Sequence, residues 1–270
     1  MCFYLVFIGC IIEVISPASF YVISYIVSIS ICMYSLIMHG LPSILYFFIC
    51  MFNTIFFIGI PMSCCLHRYF SHQAFETSRI LQCILGMIAC LAFQGGPLQW
   101  AENHKKHHIF CDMPKDPHSA KQHGFWYAFI GWMASASNYK SNDSDYTYIK
   151  HDMKTFEMRI IQLLNPAPGL GLCYIVFQIF GFVCMMWTTM APMLLCRTIT
   201  LLFNVEFHPP DVADKCLAID NNRIFAKIVG ESQHKQHHLH PRKAHRCDFD
   251  VPYWTFLHVL KSLNLIWNLK

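Results

Sequence analysis

The sequence predicts an all-α membrane protein: four transmembrane helices in two hairpins, with a cytosolic helical cap that holds a di-metal site. Three observations predict it. The 270 residues are 55% hydrophobic and only 13% charged, with a mean hydropathy of +0.36, whereas soluble domains carry about 25% charged residues. Apolar runs at 20–38, 44–66, 168–187 and 192–207 form two pairs, each joined by a short turn. Histidines gather in three clusters at the ends of these runs or in the polar segments between them.

Residues 1–17 are apolar apart from Glu13 and contain no Lys or Arg. They lack the basic start of a signal peptide and read as an apolar leader or interfacial segment. Residues 20–66 form the first hairpin, turning at His39-Gly40-Leu41-Pro42; about 20 apolar residues suffice to cross a bilayer. The second arm runs straight into His67. Ile80–Phe93 is too short for a span and reads as an interfacial or re-entrant helix within the polar cap, 67–165. Residues 168–207 form the second hairpin, with a turn expected at Thr188–Ala191 and Arg197 inside its second arm. Residues 208–270 are a polar C-terminal segment with a mildly apolar tail, Tyr253–Trp267, and the whole chain reads as one domain.

Every Lys and Arg except Arg197 lies in 68–159 or 215–270, and neither hairpin turn carries one. The positive-inside rule places both polar segments, with every histidine cluster, on the cytosolic face. A net charge of +4 is modest and calls for no nucleic-acid partner. Most cysteines, such as Cys64, Cys65, Cys83, Cys90, Cys173 and Cys184, fall in apolar runs and read as small buried hydrophobes in a reducing setting. No Cys-x-x-Cys pair exists, which argues against a zinc ribbon.

The chemistry rests on the histidines. WAENHKKHH (100–108) holds His104, His107 and His108, a spacing that puts three imidazoles on one helical face. GESQHKQHH (230–238) repeats the spacing with His234, His237 and His238, and HRYFSH supplies His67 and His72. Neutral imidazole ligates iron, zinc and copper, while the lack of clustered thiols disfavours iron–sulfur sites. The clusters exceed the four ligands of a structural zinc site and fit two metals sharing a pocket. Asn204 and His208, spaced i, i+4 near the end of the last run, could add two ligands. Two irons can activate dioxygen strongly enough to attack an unactivated C–H bond, which no side chain does alone.

HRYFSH (67–72), NHKKHH (103–108), DPHS (116–119), GFWYAFIGW (124–132) and GESQHKQHH (230–238) together resemble the integral-membrane fatty acyl desaturases of the delta-9, acyl-CoA and acyl-lipid, type. The resemblance implies two iron ions, dioxygen as co-substrate, and an external electron donor, cytochrome b5 or a ferredoxin. It implies an acyl-CoA or acyl-lipid substrate and, in a eukaryote, the endoplasmic reticulum membrane. The implied ligands are His67, His72, His104, His107, His108, Asn204, His208, His234, His237 and His238. Gln94, Trp100 and Thr200 match residues that shape the kink of the acyl tunnel, and Ile55 and Gly59 match its closed end. The sequence departs from the pattern at Leu201, where a Trp is usual, at Pro61 and Cys65 before the first box, at Lys235 in the third box, and at Pro209-Pro210. None of these removes a ligand, though they leave room for altered regioselectivity or weak activity.

Other readings weigh against this one. A di-iron hydroxylase or ketolase would share the first hydrogen abstraction. A membrane metal transporter would want ligating residues inside the spans, where only Glu13 and Arg197 interrupt apolar runs. His118 reads as a residue that orients a ligand rather than as a ligand. Trp126 and Trp132 read as headgroup-level aromatics. His39, His123, His151, His240, His245 and His258 lack partners at ligand spacing.

Overall fold

The computed structural model describes residues 17–139, 146–211 and 216–270, except the side chains of Pro17 and Phe20. The expected apolar leader, with Glu13, lies outside the described residues. The protein is helical, with one two-stranded sheet among the described residues.

Helix α1 (Pro17–His39) and helix α2 (Ile44–Phe57) are joined by a turn at Gly40, as the spacing predicts. Ser43 caps α2 by accepting from the Tyr46 N–H, a bond that satisfies an otherwise orphaned donor. The helix does not stop at Leu66. It widens at Ile58 into a π-helical segment that runs to Ser71 and contains Pro61. Proline has no N–H for the i−4 carbonyl, and a wider turn accommodates the missing bond. The first box is therefore the end of a bilayer-length helix, and His67 and His72 are buried in it. Helix α3 (Arg79–Cys90) has 12 residues, too few to span, in keeping with its reading as a short apolar helix.

Helix α4 (Pro97–Phe110) carries the second box. Pro97 occupies its first turn, and the N–H groups of Leu98 and Gln99 both donate to Gln162 Oε1 at 3.0 Å. Gln162 belongs to α5 (Phe156–Leu163), so a neighbouring helix supplies the cap that α4 lacks.

The second apolar pair differs from expectation. Helices α6 (Pro166–Met185) and α7 (Ala191–Glu206) are linked through a π-helical turn, Met186–Met190. The break falls at Gly181, with φ +81° and ψ 178°, and not at 188–191. Only glycine takes this backbone without strain, whereas Thr188–Ala191 lies within continuous helical turns, the Thr188 hydroxyl donating to the Cys184 carbonyl at 2.8 Å. Past the break, the Phe182 ring lies 5.6 Å from His39, the Asn53 amide donates to the Thr188 carbonyl, and Tyr25 bonds Thr198. Segment 182–198 thus runs along α1 in the opposite direction. Among the described residues, three helical stretches are long and apolar enough to cross a membrane: Tyr21–His39, Ile44–Ser71 and Pro166–Glu206, the last broken at Gly181. Large apolar side chains such as Ile37, Phe52, Ile179 and Phe180 are exposed along them.

The third box forms helix α8 (His234–Leu239). The C-terminal segment then returns to the first box. Strand β1 (Glu76–Thr77) pairs antiparallel with β2 (Ile266–Trp267), and the Lys270 N–H donates to the Ala74 carbonyl. The apolar core is continuous from the membrane helices to this cap, through Phe57, Leu66, Phe75, Leu98, Met158, Met193, Val229 and Leu257.

Candidate metal centre

Four elements bring the clusters together: the end of the α2 rod, α4, the residues just past α7, and α8. The imidazoles fall into two groups, each with its ligand atoms within 4.8 Å of one another. One holds His67, His72, His104, His108 and His237; the other holds His107, His208, His234 and His238. In the first, Nε2 atoms lie 2.9 Å apart for His67–His237 and His72–His104, 3.0 Å for His108–His237 and 3.1 Å for His104–His108. In the second, they lie 3.2 Å apart for His107–His208 and His234–His238, and 3.0 Å for His208–His234. Stacked rings of His108 and His238, 4.1 Å between centroids, join the two groups.

These separations fit metal ligation better than hydrogen bonding. A neutral imidazole has one N–H, so a ring of five Nε2 atoms cannot pair itself. Imidazole nitrogens sit about 2.0–2.1 Å from a bound divalent metal, and neighbouring ligands at right angles are then roughly 3 Å apart, as found here. Asn204 lies beside this region, lining the same cavity as His104 and Trp100.

The outer nitrogens fix the tautomers. His67 Nδ1 lies 3.0 Å from Glu231 Oε1, and Glu231 also accepts from Arg246 Nη1 at 2.8 Å and from Ser63 Oγ at 2.5 Å. Arg246 Nη1 is 2.9 Å from the same Nδ1, but only the carboxylate can accept its proton, which leaves the Nε2 lone pair facing the centre. His107 Nδ1 donates to Asp116 at 3.0 Å, and Asp116 is held by the N–H groups of Asp112 and His118. His208 Nδ1 donates to Asp112 at 3.1 Å, and Asp112 accepts from the Leu217 N–H and the Ser119 hydroxyl. Carboxylates behind metal-bound imidazoles orient the rings and raise their basicity.

The electrostatics follow from burial. Desolvation pushes His104, His108, His234, His237 and His238 well below the usual imidazole range, and neighbouring imidazoles add to it. They are neutral at physiological pH, as ligands must be. Burial would raise Asp116 and Glu231, but His107 beside the first, and His67 and Arg246 beside the second, hold both well below the ordinary carboxylate range. Gly230, at φ +74°, lets Arg68 and Asp250 close beneath the third box; a Cβ there would collide with both. Arg68 Nη2 donates to Asp250 at 3.0 Å with both side chains fully buried.

Three residues matched to the acyl tunnel are hydrogen-bonded in series: Trp100 Nε1 donates to Gln94 Oε1 at 3.1 Å, and Gln94 Nε2 donates to Thr200 Oγ1 at 3.0 Å. Trp100 also stacks on His104. Ile55 packs against the core, and Gly59 lies against Pro252; neither lines the cavity beside the centre. His118 is buried against His107, and its N–H donates to Asp116 at 3.1 Å. Trp126 is exposed, but Trp132 departs from expectation: it turns inward onto His118 and lines the cavity. Cys111 and Cys216 also depart from a uniformly reduced reading, being joined as a disulfide beside His208 and His238. None of the named cysteines of the apolar runs takes part in a disulfide among the described residues. Sequence reasoning missed Asp112, Glu231 and Arg246 as supports. The available signal was a carboxylate within a few residues of a box, in HHIFCD and GES.

A helical protein with bilayer-length apolar helices and a buried polyhistidine site in two groups is the class that this fold and site define. The chain belongs to the fatty acid desaturase family, whose model matches residues 42–257. It is 26% identical over 223 residues to an icosanoyl-CoA 5-desaturase of Limnanthes douglasii, covering 79% of this chain and 61% of that one. It is 29% identical over 191 residues to delta-9 acyl-lipid desaturase 2 of Arabidopsis thaliana, covering 70% and 61%. It is also 29% identical over 219 residues to an sn-1 stearoyl-lipid 9-desaturase of Synechocystis, covering 78% and 68%. The chain spans about three fifths of the length of the first two of these.

Proposed function

We propose that this protein is a fatty acyl desaturase that introduces a cis double bond, at the delta-9 position, into the saturated chain of an acyl-CoA or acyl-lipid. The observation that carries the reading is the pair of imidazole groups beside the Trp100–Gln94–Thr200 hydrogen-bond series. Two iron ions are the fitting cofactors, and when bound they would supply the dioxygen activation needed to remove two hydrogens from an unactivated chain. Balance requires two further electrons from outside, from cytochrome b5 or a ferredoxin. His67, His72, His104, His108 and His237 would hold one iron; His107, His208, His234 and His238 the other, with Asn204 adjacent.

The remaining work falls to this chain's own atoms. Asp112, Asp116 and Glu231 keep the Nδ1 protons of His208, His107 and His67 on the outer side, so that the Nε2 lone pairs of these three rings face inward. Burial excludes water from the oxidising centre. Trp100, held by Gln94, walls the path of the acyl chain next to His104 and would set its bend, with Thr200 fixing the amide. Ile55 and Gly59 would lie towards the closed tunnel end.

The same reading takes the chain across the membrane four times, with the boxes on the cytosolic side, in the endoplasmic reticulum if the source is eukaryotic. A 41-residue helical stretch would be about 60 Å long, twice the ~30 Å hydrocarbon core. Support for a turn at Gly181 comes from Phe182 beside His39 and from Gly169 facing Met193. Expression in a yeast strain that requires unsaturated fatty acid tests the activity: growth with a mapped double bond is expected. Products that have gained oxygen instead of losing two hydrogens would replace the desaturase with a hydroxylase.

A further inference from the structure

The Cys111–Cys216 disulfide joins the end of α4, just past the second box, to the segment that follows His208. No other described cysteine takes part in a disulfide. Weaker ties run beside it: the Leu217 N–H donates to Asp112 Oδ2 at 2.9 Å, and the Ile219 N–H to the Phe207 carbonyl at 2.9 Å. Both sulfurs touch the outer ring nitrogens of box residues. Cys111 Sγ lies 3.8 Å from His208 Nδ1 and 3.5 Å from Asp112 Oδ2, and Cys216 Sγ lies 3.6 Å from His238 Nδ1. Cys111 is buried, whereas Cys216 is half-buried and offers the accessible sulfur.

A disulfide carries no proton, so beside His238 it can only accept. That keeps the proton of His238 on Nδ1 and leaves the Nε2 lone pair facing His234 and the second histidine group. A thiol can donate as well. Cys216 S–H aimed at Nδ1 would favour the opposite tautomer, with its proton on Nε2 and no lone pair there for a metal. Cys111 S–H would compete for Asp112 Oδ2, which already accepts from His208 Nδ1 and from Leu217.

We propose that Cys111 and Cys216 form a reversible redox site, served by a dithiol reductant of the thioredoxin kind, that governs metal retention in the group of His107, His208, His234 and His238. The inference rests on reading those imidazoles as the ligands of one metal. It also draws on the proposed cytosolic placement of the boxes, a compartment where disulfides are transient or redox-sensing more often than structural. In the reducing direction a donor thiolate attacks Cys216 Sγ, the S–S bond breaks, and Cys111 leaves as a thiolate that takes up a proton. The donor's second thiol then displaces Cys216 from the mixed disulfide, so two electrons and two protons pass from donor to pair. Glutathione disulfide reverses the sequence by the same exchange.

Zinc, which has no redox chemistry of its own, is the probe metal in the detergent-purified full chain. Differential alkylation, and metal content after graded chelator, are measured on the disulfide form, after reduction by thioredoxin, and after reoxidation by glutathione disulfide. Reduction of the folded protein should open Cys111 and Cys216 to alkylation. One zinc should then leave at about tenfold lower chelator, the other should be unmoved, and reoxidation should restore the first. Replacing both cysteines, Cys111→Ser with Cys216→Ser, supplies hydroxyls that donate as thiols do; this variant should hold zinc like the reduced protein and ignore both reagents. If it does not fold, the wild-type cycle decides alone. A disulfide that thioredoxin cannot open in the folded protein would overturn the proposal, as would an opened pair with an unchanged chelator midpoint. So would the loosening of both zincs together, which marks a merely structural bond, or tighter zinc on reduction, which marks a thiolate metal site. None of these readouts needs turnover. A protein that cycles as described yet makes no double bond would defeat the desaturase reading and leave this one standing.

Discussion

Replacing Glu231 by glutamine separates the two halves of the centre. The carboxylate is 4% exposed and accepts from His67, Arg246 and Ser63. Glutamine keeps the volume and one acceptor oxygen, but turns an NH2 towards groups that are themselves donors. One charge-assisted bond, typically worth about 1.5–3 kcal/mol, is lost, and Arg246, 3% exposed, loses its counter-charge. Carboxylates behind metal-bound histidines usually contribute about 10–100-fold to affinity or activity, which corresponds to about 1.4–2.8 kcal/mol. His67 belongs only to the five-histidine group, whereas Asp112 and Asp116 serve His208 and His107 in the other. Glu231→Gln should therefore lose one metal at a chelator concentration 10–100-fold below that needed for the wild type, and keep the second. Metal stoichiometry after dialysis against graded chelator, in detergent, reads this out. Loss of both metals together, or an unchanged midpoint, would refute the assignment of Glu231 to one centre.

Three further outcomes are expected. Asp250→Ala leaves Arg68 buried without a counter-charge and should destabilise the fold by about 3–5 kcal/mol, measured by denaturant or thermal unfolding in detergent. Metal-free protein should lose stability as pH falls below 6.5. Apart from His107, which Asp116 holds above the ordinary imidazole value, the buried imidazoles of the centre have folded pKa values below their unfolded one, His118 down to about 3 through burial and the nearby His107, so their contribution is complete above 6.5 and lost below it. The slope is roughly 1.4 kcal/mol per pH unit for each such histidine, and the depressed carboxylates Asp116 and Glu231 add to the loss only below about pH 4. A flat stability profile between pH 7 and 5 would contradict this. Ile55→Tyr should shift products towards shorter chains in a fatty-acid profile, because an aromatic there fills the proposed tunnel end; unchanged chain length would remove Ile55 from that role.

The box histidines were legible because ligation at i, i+3 and i+4 writes itself into sequence spacing, and α4 presents His104, His107 and His108 to one centre pair as that period requires. The membrane runs were legible from composition, but their ends were not. The α2 rod continues five residues past Leu66 because its π-helical turns absorb Pro61, which no hydropathy pattern reveals. The gap between the last two apolar runs, Thr188–Ala191, suggests the second hairpin's break, yet those residues stay helical and the φ +81° at Gly181 makes it. Asp112, Glu231 and Arg246 escaped because their partners lie 96, 164 and 179 residues away in the chain. The Cys111–Cys216 pair, separated by 105 residues, escaped for the same reason.

His67 and His72 ride on the end of the 28-residue stretch that begins at Ile44. Such a rod is about 42 Å long, longer than a typical ~30 Å hydrocarbon slab, and its excess is built into the imidazole cluster instead of hanging in solvent. Tilting is how an over-long helix answers a change in bilayer thickness, and here tilt would tug on two of the five nitrogens of one centre while α4 holds two others in place. Under the proposed reading, membrane thickness would thereby become a mechanical input to the geometry of the five-histidine group.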